Sequence, residues 1–225
     1  MLYYVKDYLD FKQNEQNYHK VSEGGFGIMM GRTHFAIGLA TSLAVMQPKS
    51  IGECMTAIFA GALGGVTADN DTLNQSNSLS AQLLALKTAL GILLIDYFFK
   101  LGICESIMAN QTTALIGLIA FLVLWFIGFF SDHRTFTHSF LAMILYSLAI
   151  GLIYEPFTLG FMVAYLSHLA LDILNRKKMP LLYPLDFGVC LKLCYADSKF
   201  DNFLMYVGYI ATAVLLTIGL VASFS

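Results

Sequence analysis

Apolar and polar positions divide the chain into seven hydrophobic runs, at approximately 34–47, 52–68, 81–99, 112–130, 136–154, 157–174 and 203–224. A helix needs about 20 residues to cross the hydrocarbon core of a bilayer. The runs 112–130 and 203–224 are the clearest spans. The first two fall short of that length, which predicts half-inserted or re-entrant segments. Lys87 and Asp96 interrupt the third run and read as side chains snorkelling toward its opposite ends. The predicted fold is all-α, a multi-pass transmembrane helical bundle with about five to seven membrane segments.

Ahead of these runs, residues 1–29 are polar, with Lys6, Asp7, Asp10, Lys12, Glu15 and Lys20. No apolar core follows closely enough to make a cleavable signal peptide. Tyr3, Tyr4, Tyr8, Leu9 and Phe11 suit a short interfacial helix, and Gly24-Gly25-Phe26-Gly27 suits a flexible joint. The chain therefore divides into a polar N-terminal extension, 1–29, and a membrane-embedded domain, 30–225.

Composition strengthens the membrane reading. Hydrophobic residues make up 57% of the 225 positions and charged residues 12%, with a mean hydropathy of +0.68. A soluble domain carries about 25% charged residues. Cys54, Cys104, Cys190 and Cys194 form no CxxC pair, and a disulfide framework does not suit so apolar a chain.

Lysine and arginine set the orientation. Numbering the loops alternately places Lys6, Lys12, Lys20, Arg32, Arg134, Arg176, Lys177, Lys178, Lys192 and Lys199 on one side, and Lys49 and Lys100 on the other. The first side is predicted to be cytoplasmic. The Arg176-Lys177-Lys178 cluster serves as a topology signal and could also hold an anionic lipid headgroup.

Polar chemistry gathers on that same side. His34 opens the first run, Asp69 and Asp71 follow the second, His133 and His138 lie between the fourth and fifth, and His168 and Asp172 close the sixth. Ionisable groups this costly beside lipid usually serve function. His168 and Asp172, four residues apart, share one helix face. Asp69-Asn70-Asp71 reads as a loop presenting carboxylates. His133 is expected in a loop and His138 in the first helical turn, capped by Asp132 or Thr135. Four histidines and three aspartates suit zinc, manganese or iron better than magnesium or calcium, as one ion with outer partners or as two ions. Arg134 could clamp a phosphate or carboxylate oxygen.

Gly31-Arg32-Thr33-His34, Asp69-x-Asp71, His133-Arg134-x-x-Thr137-His138-Ser139, Tyr165-Leu166-Ser167-His168-x-x-x-Asp172 and Pro180-Leu181-Leu182-Tyr183-Pro184 together resemble the YdjM-like family of LexA-regulated inner-membrane proteins, regarded as metal-dependent hydrolases. The likeness covers roughly residues 30–187. Ala68 stands where the family usually has proline, and Tyr183 where tryptophan is common. The family is similar to zinc-dependent phospholipases C and single-strand nucleases. The resemblance implies that His34, Asp69, Asp71, His133, His138, His168 and Asp172 are metal ligands or catalytic carboxylates. It also implies an inner-membrane location and a place in the SOS response.

The expected function is hydrolysis of an ester, foremost a phosphoester or phospholipid, at the cytoplasmic membrane face, with Asp71 or Asp69 as base and Arg134 binding substrate. The expected partner is membrane lipid, with an anionic phospholipid as a candidate substrate. Nothing in the sequence points to nucleic acid. Two other classes compete. A metal-ion or proton transporter calls for polar groups near mid-bilayer and for repeated halves, and neither is visible. A non-catalytic protein with a structural metal calls for a closed, four-ligand site.

Overall fold

A computed structural model describes residues 30–72, 76–132, 134–174, 178–185, 188–191 and 199–224. Each apolar run becomes a helix. These are α1 (Gly31–Met46), α2 (Ile51–Thr67), α3 (Ser76–Phe99), α4 (Ile103–Ala109), α5 (Gln111–Phe129), α6 (Phe140–Ile153), α7 (Phe157–Ile173) and α8 (Lys199–Ala222). A 3-10 turn, Ala68–Thr72, extends α2, and two short antiparallel strands, β1 (Met179–Pro180) and β2 (Gly188–Val189), follow α7. Four helices are long and apolar enough to cross a membrane: α2 with its 3-10 extension, α3, α5 and α8.

The short first two runs are continuous helices; α2 with its 3-10 extension reaches spanning length, whereas α1, at 16 residues, is not among the four helices that do. Their sequence explains the tight connection. Gln47 takes a left-handed conformation at φ 44°. Ser50 then caps α2 by accepting from the Glu53 N–H, while the Glu53 carboxylate accepts from the Lys49 N–H at 2.7 Å. Paired caps of this kind satisfy amides a helix start leaves open.

Small residues bring α1, α2 and α7 into close contact at the centre. A Cβ on Gly38 would stand 2.8 Å from the Gly61 carbonyl oxygen, and one on Gly64 would stand 2.4 Å from that of Phe161. Without a hydrophobic gain from leaving lipid, helices in a bilayer associate largely through such tight packing. Outside this centre, α8 runs parallel to α1, from Asp201 beside Thr33 to Gly219 beside Pro48. Helix α3 lies against α2, and α5 pairs with α6. Tyr146, Phe157, Phe161 and Tyr165 fill the middle, all essentially buried. Long apolar side chains on α3, α5 and α8 remain exposed, as lipid-facing helices require.

Asp96 departs from the expected snorkelling. It is buried and accepts from the backbone N–H groups of Ile103 at 2.9 Å and Cys104 at 2.6 Å. It thereby caps α4, a short helix that the apolar pattern did not announce. Lys87 on α3 is exposed. Residues 1–29, with the proposed interfacial helix, lie outside the described residues, as do Arg176, Lys177, Lys192 and Cys194.

Candidate metal centre

The start of α1, the end of α2, the start of α6 and the end of α7 meet at one end of the bundle. This is the shared end that loop parity predicts. His34 lies in the first turn of α1, Asp69 in the 3-10 turn after α2, His138 just before α6, and His168 and Asp172 in the last turns of α7. All five are buried, with Asp69 the most accessible at 3%.

Asn70 pins the 3-10 turn in place by donating to the Trp125 carbonyl at 2.7 Å. Gly128 leaves room for it, since a Cβ there would stand 2.6 Å from the Asn70 amide oxygen. The loop before α6 is shaped by Arg134, which adopts φ 63°. Its backbone N–H donates to Asp71 Oδ2 at 3.0 Å. Ser139 caps α6 through the Ala142 N–H, so His138 precedes the helix and does not belong to its first turn. Asp132 and Thr135 do not cap it: the Thr135 hydroxyl turns back to the Asp132 carbonyl. A hydroxyl directly before the helix reaches the open amides better than one four or more residues upstream.

The donors converge. His138 Nε2 lies 3.1 Å from Asp172 Oδ2 and 3.7 Å from Asp69 Oδ1. His168 Nε2 lies 3.6 Å from Asp69 Oδ1 and 3.7 Å from Asp172 Oδ2. His34 stacks on His168 with ring centres 3.8 Å apart and places its Nε2 3.6 Å from Asp172 Oδ1.

Outer partners fix which nitrogen faces inward. His168 Nδ1 lies 2.9 Å from the Gly65 carbonyl. A carbonyl only accepts, so Nδ1 carries the proton and Nε2 is turned to the cluster. The Thr137 hydroxyl donates to Asp71 Oδ2 at 2.9 Å and lies 3.0 Å from His138 Nδ1. With its own hydrogen committed to Asp71, it accepts from Nδ1, and His138 Nε2 also turns inward. Tyr165 steadies the arrangement by donating to the Thr137 carbonyl. Partners of this kind orient metal-ligating histidines.

Two donor groups could hold an ion: His34, Asp69 and His168, and His138, His168 and Asp172, with the ligand atoms of each within 4.8 Å of one another. Both nitrogens of His34, and Nε2 of His168, have no hydrogen-bond partner among the described residues. Buried polar atoms left this way call for a ligand, and imidazole with carboxylate suits zinc, manganese or iron.

The carboxylates also set the charge of His138 in the metal-free protein, where an incoming ion must displace its proton. Burial disfavours its protonation, but the neighbouring carboxylates of Asp172, Asp69 and Asp71 outweigh that and hold its pKa well above the ordinary histidine value.

Of the other expected residues, Asp71 enters neither donor group; it faces His138 Nδ1 at 3.5 Å and holds Thr137 and the Arg134 amide. Arg134 is buried, with Nη2 3.3 Å from Asp172 Oδ1. His133 lies outside the described residues. Sequence reasoning missed the roles of Thr137, Tyr165, Gly65 and Asp201. Thr137 and Tyr165 stood inside the quoted motifs. Asp201 carried the signature already used for Asp69 and Asp172, a carboxylate at the edge of an apolar run.

The fold and this cluster define an all-helical membrane protein with buried histidine and aspartate groups able to hold a metal ion. The family profile described as "YdjM inner membrane protein" matches residues 29–224. The chain belongs to that family. No curated protein and no solved structure matches it.

Proposed function

We propose that this chain is a multi-pass, metal-dependent hydrolase that cleaves an ester, foremost a phosphoester of a membrane phospholipid, at the cytoplasmic side of the inner membrane. The observation that carries this reading is the inward orientation of two imidazoles, His138 through Thr137 and Asp71, and His168 through the Gly65 carbonyl. Oriented, buried ligands from four separate elements cost a membrane protein stability, which favours function over chance.

His34, His138, His168, Asp69 and Asp172 would hold the ion, with zinc the best match to the donors. A divalent ion bound there supplies Lewis acidity and a water acidic enough to act as nucleophile near neutral pH. Asp69, the most accessible of the buried donors, would be the candidate to accept a proton there. Asp71 positions His138, and His133 adds a further candidate ligand from the sequence. Arg134 supplies positive charge beside the carboxylates, the complement of an anionic substrate. Cytoplasmic placement rests on the lysine and arginine asymmetry, and a role in the SOS response on family likeness.

The test is metal analysis of the purified protein, with assays on phosphatidic acid, phosphatidylglycerol and a chromogenic phosphodiester. Stoichiometric zinc and hydrolysis, both lost in His168→Ala, are expected. The complete burial of the donors favours one competing reading, a structural metal. Full metal with no hydrolysis of any ester would decide for it, and absence of metal would sink both.

A further inference from the structure

The β1–β2 hairpin stands outside the chemistry above, and it displays large apolar side chains between the turn-favouring residues Pro180, Pro184, Asp186 and Gly188 of its sequence. Leu182, Tyr183, Leu185 and Leu191 are all exposed, Leu185 by 64%. A surface in water seldom keeps several large apolar side chains exposed together without a partner. Large apolar side chains gathered on one short hairpin fit a lipid environment instead.

The base of the hairpin is fixed. Met179 is fully buried. The Leu181 carbonyl accepts from the Phe140 N–H at 3.0 Å, and the Leu191 N–H donates to the Ile173 carbonyl at 2.7 Å. The hairpin is thus joined to the first residue of α6 and the last of α7, level with the helix ends. Phe129, Phe130, Phe200 and Phe203 are exposed at that same end of the bundle. Aromatic residues at helix ends collect at the membrane–water boundary.

Charge agrees with that depth. Lys178 is exposed where the hairpin begins, and its stem lies across Gly188, where a Cβ would stand 3.0 Å from Lys178 Cβ. In the sequence, Arg176, Lys177, Lys192 and Lys199 flank the hairpin. Exposed Lys178 beside the apolar side chains of the tip suits an anionic headgroup layer over hydrocarbon, and the lysine- and arginine-rich sequence on either side has the same sign. A two-stranded hairpin has open backbone edges that the bilayer core would leave unsatisfied, so the boundary layer is the depth it suits.

We infer that the hairpin is an interfacial anchor, with Leu182, Tyr183 and Leu185 inserted at the headgroup–acyl boundary of an anionic bilayer, in the leaflet next to the metal centre. The inference holds whether that centre is catalytic or structural.

Trp125 is the only tryptophan, so Trp125→Phe gives a silent background for Leu185→Trp. This full-length protein is reconstituted into phosphatidylcholine vesicles with and without phosphatidylglycerol. Blue-shifted emission is expected, quenched most by lipids brominated near the headgroup end of the chain, little by aqueous iodide, and more strongly with phosphatidylglycerol present. Red-shifted emission open to iodide would overturn the anchor. Quenching by neither agent would overturn it too, because protein would then cover the tip. Equal bromolipid quenching with and without phosphatidylglycerol would overturn the recognition of anionic lipid. Leu182→Trp, on the same tip, carries the test if the first variant does not stay monodisperse.

Discussion

The carboxylate of Asp201 and the hydroxyl of Thr33 meet at 2.5 Å, across 168 positions of chain. The other carboxylate oxygen accepts from the Met30 N–H at 3.1 Å. Helix α1 has no side-chain cap of its own at Met30. A residue of α8 therefore satisfies the amide that α1 leaves open, and places negative charge at the positive end of its dipole. His34 is the next residue after Thr33. Asp201→Ala should lower stability by about 1–3 kcal/mol, the cost of stranding buried donors, measured by unfolding in mixed micelles, and should also weaken metal binding through His34. An unchanged unfolding midpoint would show that the clasp contributes nothing.

Ligands and positioning residues should separate in one titration. His168→Ala and Asp172→Ala remove donor atoms and should abolish metal binding. Thr137→Val keeps the volume but removes the hydroxyl between Asp71 and His138. It should bind metal about 10–100-fold more weakly, the usual effect of losing an outer partner. Isothermal titration with zinc distinguishes the two classes. Wild-type affinity in Thr137→Val would refute the orientation argument for His138.

Binding should depend on pH over an unusually high range. Burial opposes protonation of His138, but the carboxylates of Asp172, Asp69 and Asp71 outweigh it and raise its pKa. In the metal-free protein, charged His138 contributes stability that is fully present below the ordinary value of about 6.5 and is lost as pH rises through the elevated one. A metal must displace that proton. Zinc affinity should therefore keep rising with pH beyond the ordinary histidine range, and Asp71→Asn should shift the plateau to lower pH. A competition titration in which wild-type affinity levels off at about pH 6.5 would contradict this.

Two glycine replacements should act in opposite directions. A Cβ on Gly64 would stand 2.4 Å from the Phe161 carbonyl oxygen and 2.9 Å from Ala164 Cβ, whereas one on Gly91 would meet nothing within 4 Å. Gly64→Ala should cost about 1–3 kcal/mol by overpacking. Gly91→Ala should gain about 0.5–1 kcal/mol through lower backbone entropy in the unfolded chain. Thermal unfolding of both proteins in one detergent gives the comparison, and equal midpoints would mean that α2 and α7 are not packed backbone to backbone.

Much of this arrangement was legible before any coordinates. Apolar runs of membrane length dictate helices, because lipid offers no partners to a broken backbone. Alternating those runs sends His34, Asp69, Asp71, His138, His168 and Asp172 to one end, since loop parity needs no knowledge of packing. The four-residue spacing of His168 and Asp172 fixed their shared face, as helical geometry requires. Roles within the cluster were not legible. Asp69 and Asp71 look alike in sequence, yet the pinned 3-10 turn sends one toward the histidine nitrogens and the other behind Thr137. Asp96 lies within an apolar run and Asp201 at the edge of one, and only their neighbours made each a cap for another helix. The sequence by itself determined the helices and the end at which charge collects, because the hydrophobic period and the cost of burying charge act locally along the chain. Tertiary structure decided which carboxylate faces the histidine cluster and which nitrogen His138 and His168 present, because those depend on hydrogen bonds between residues scores of positions apart.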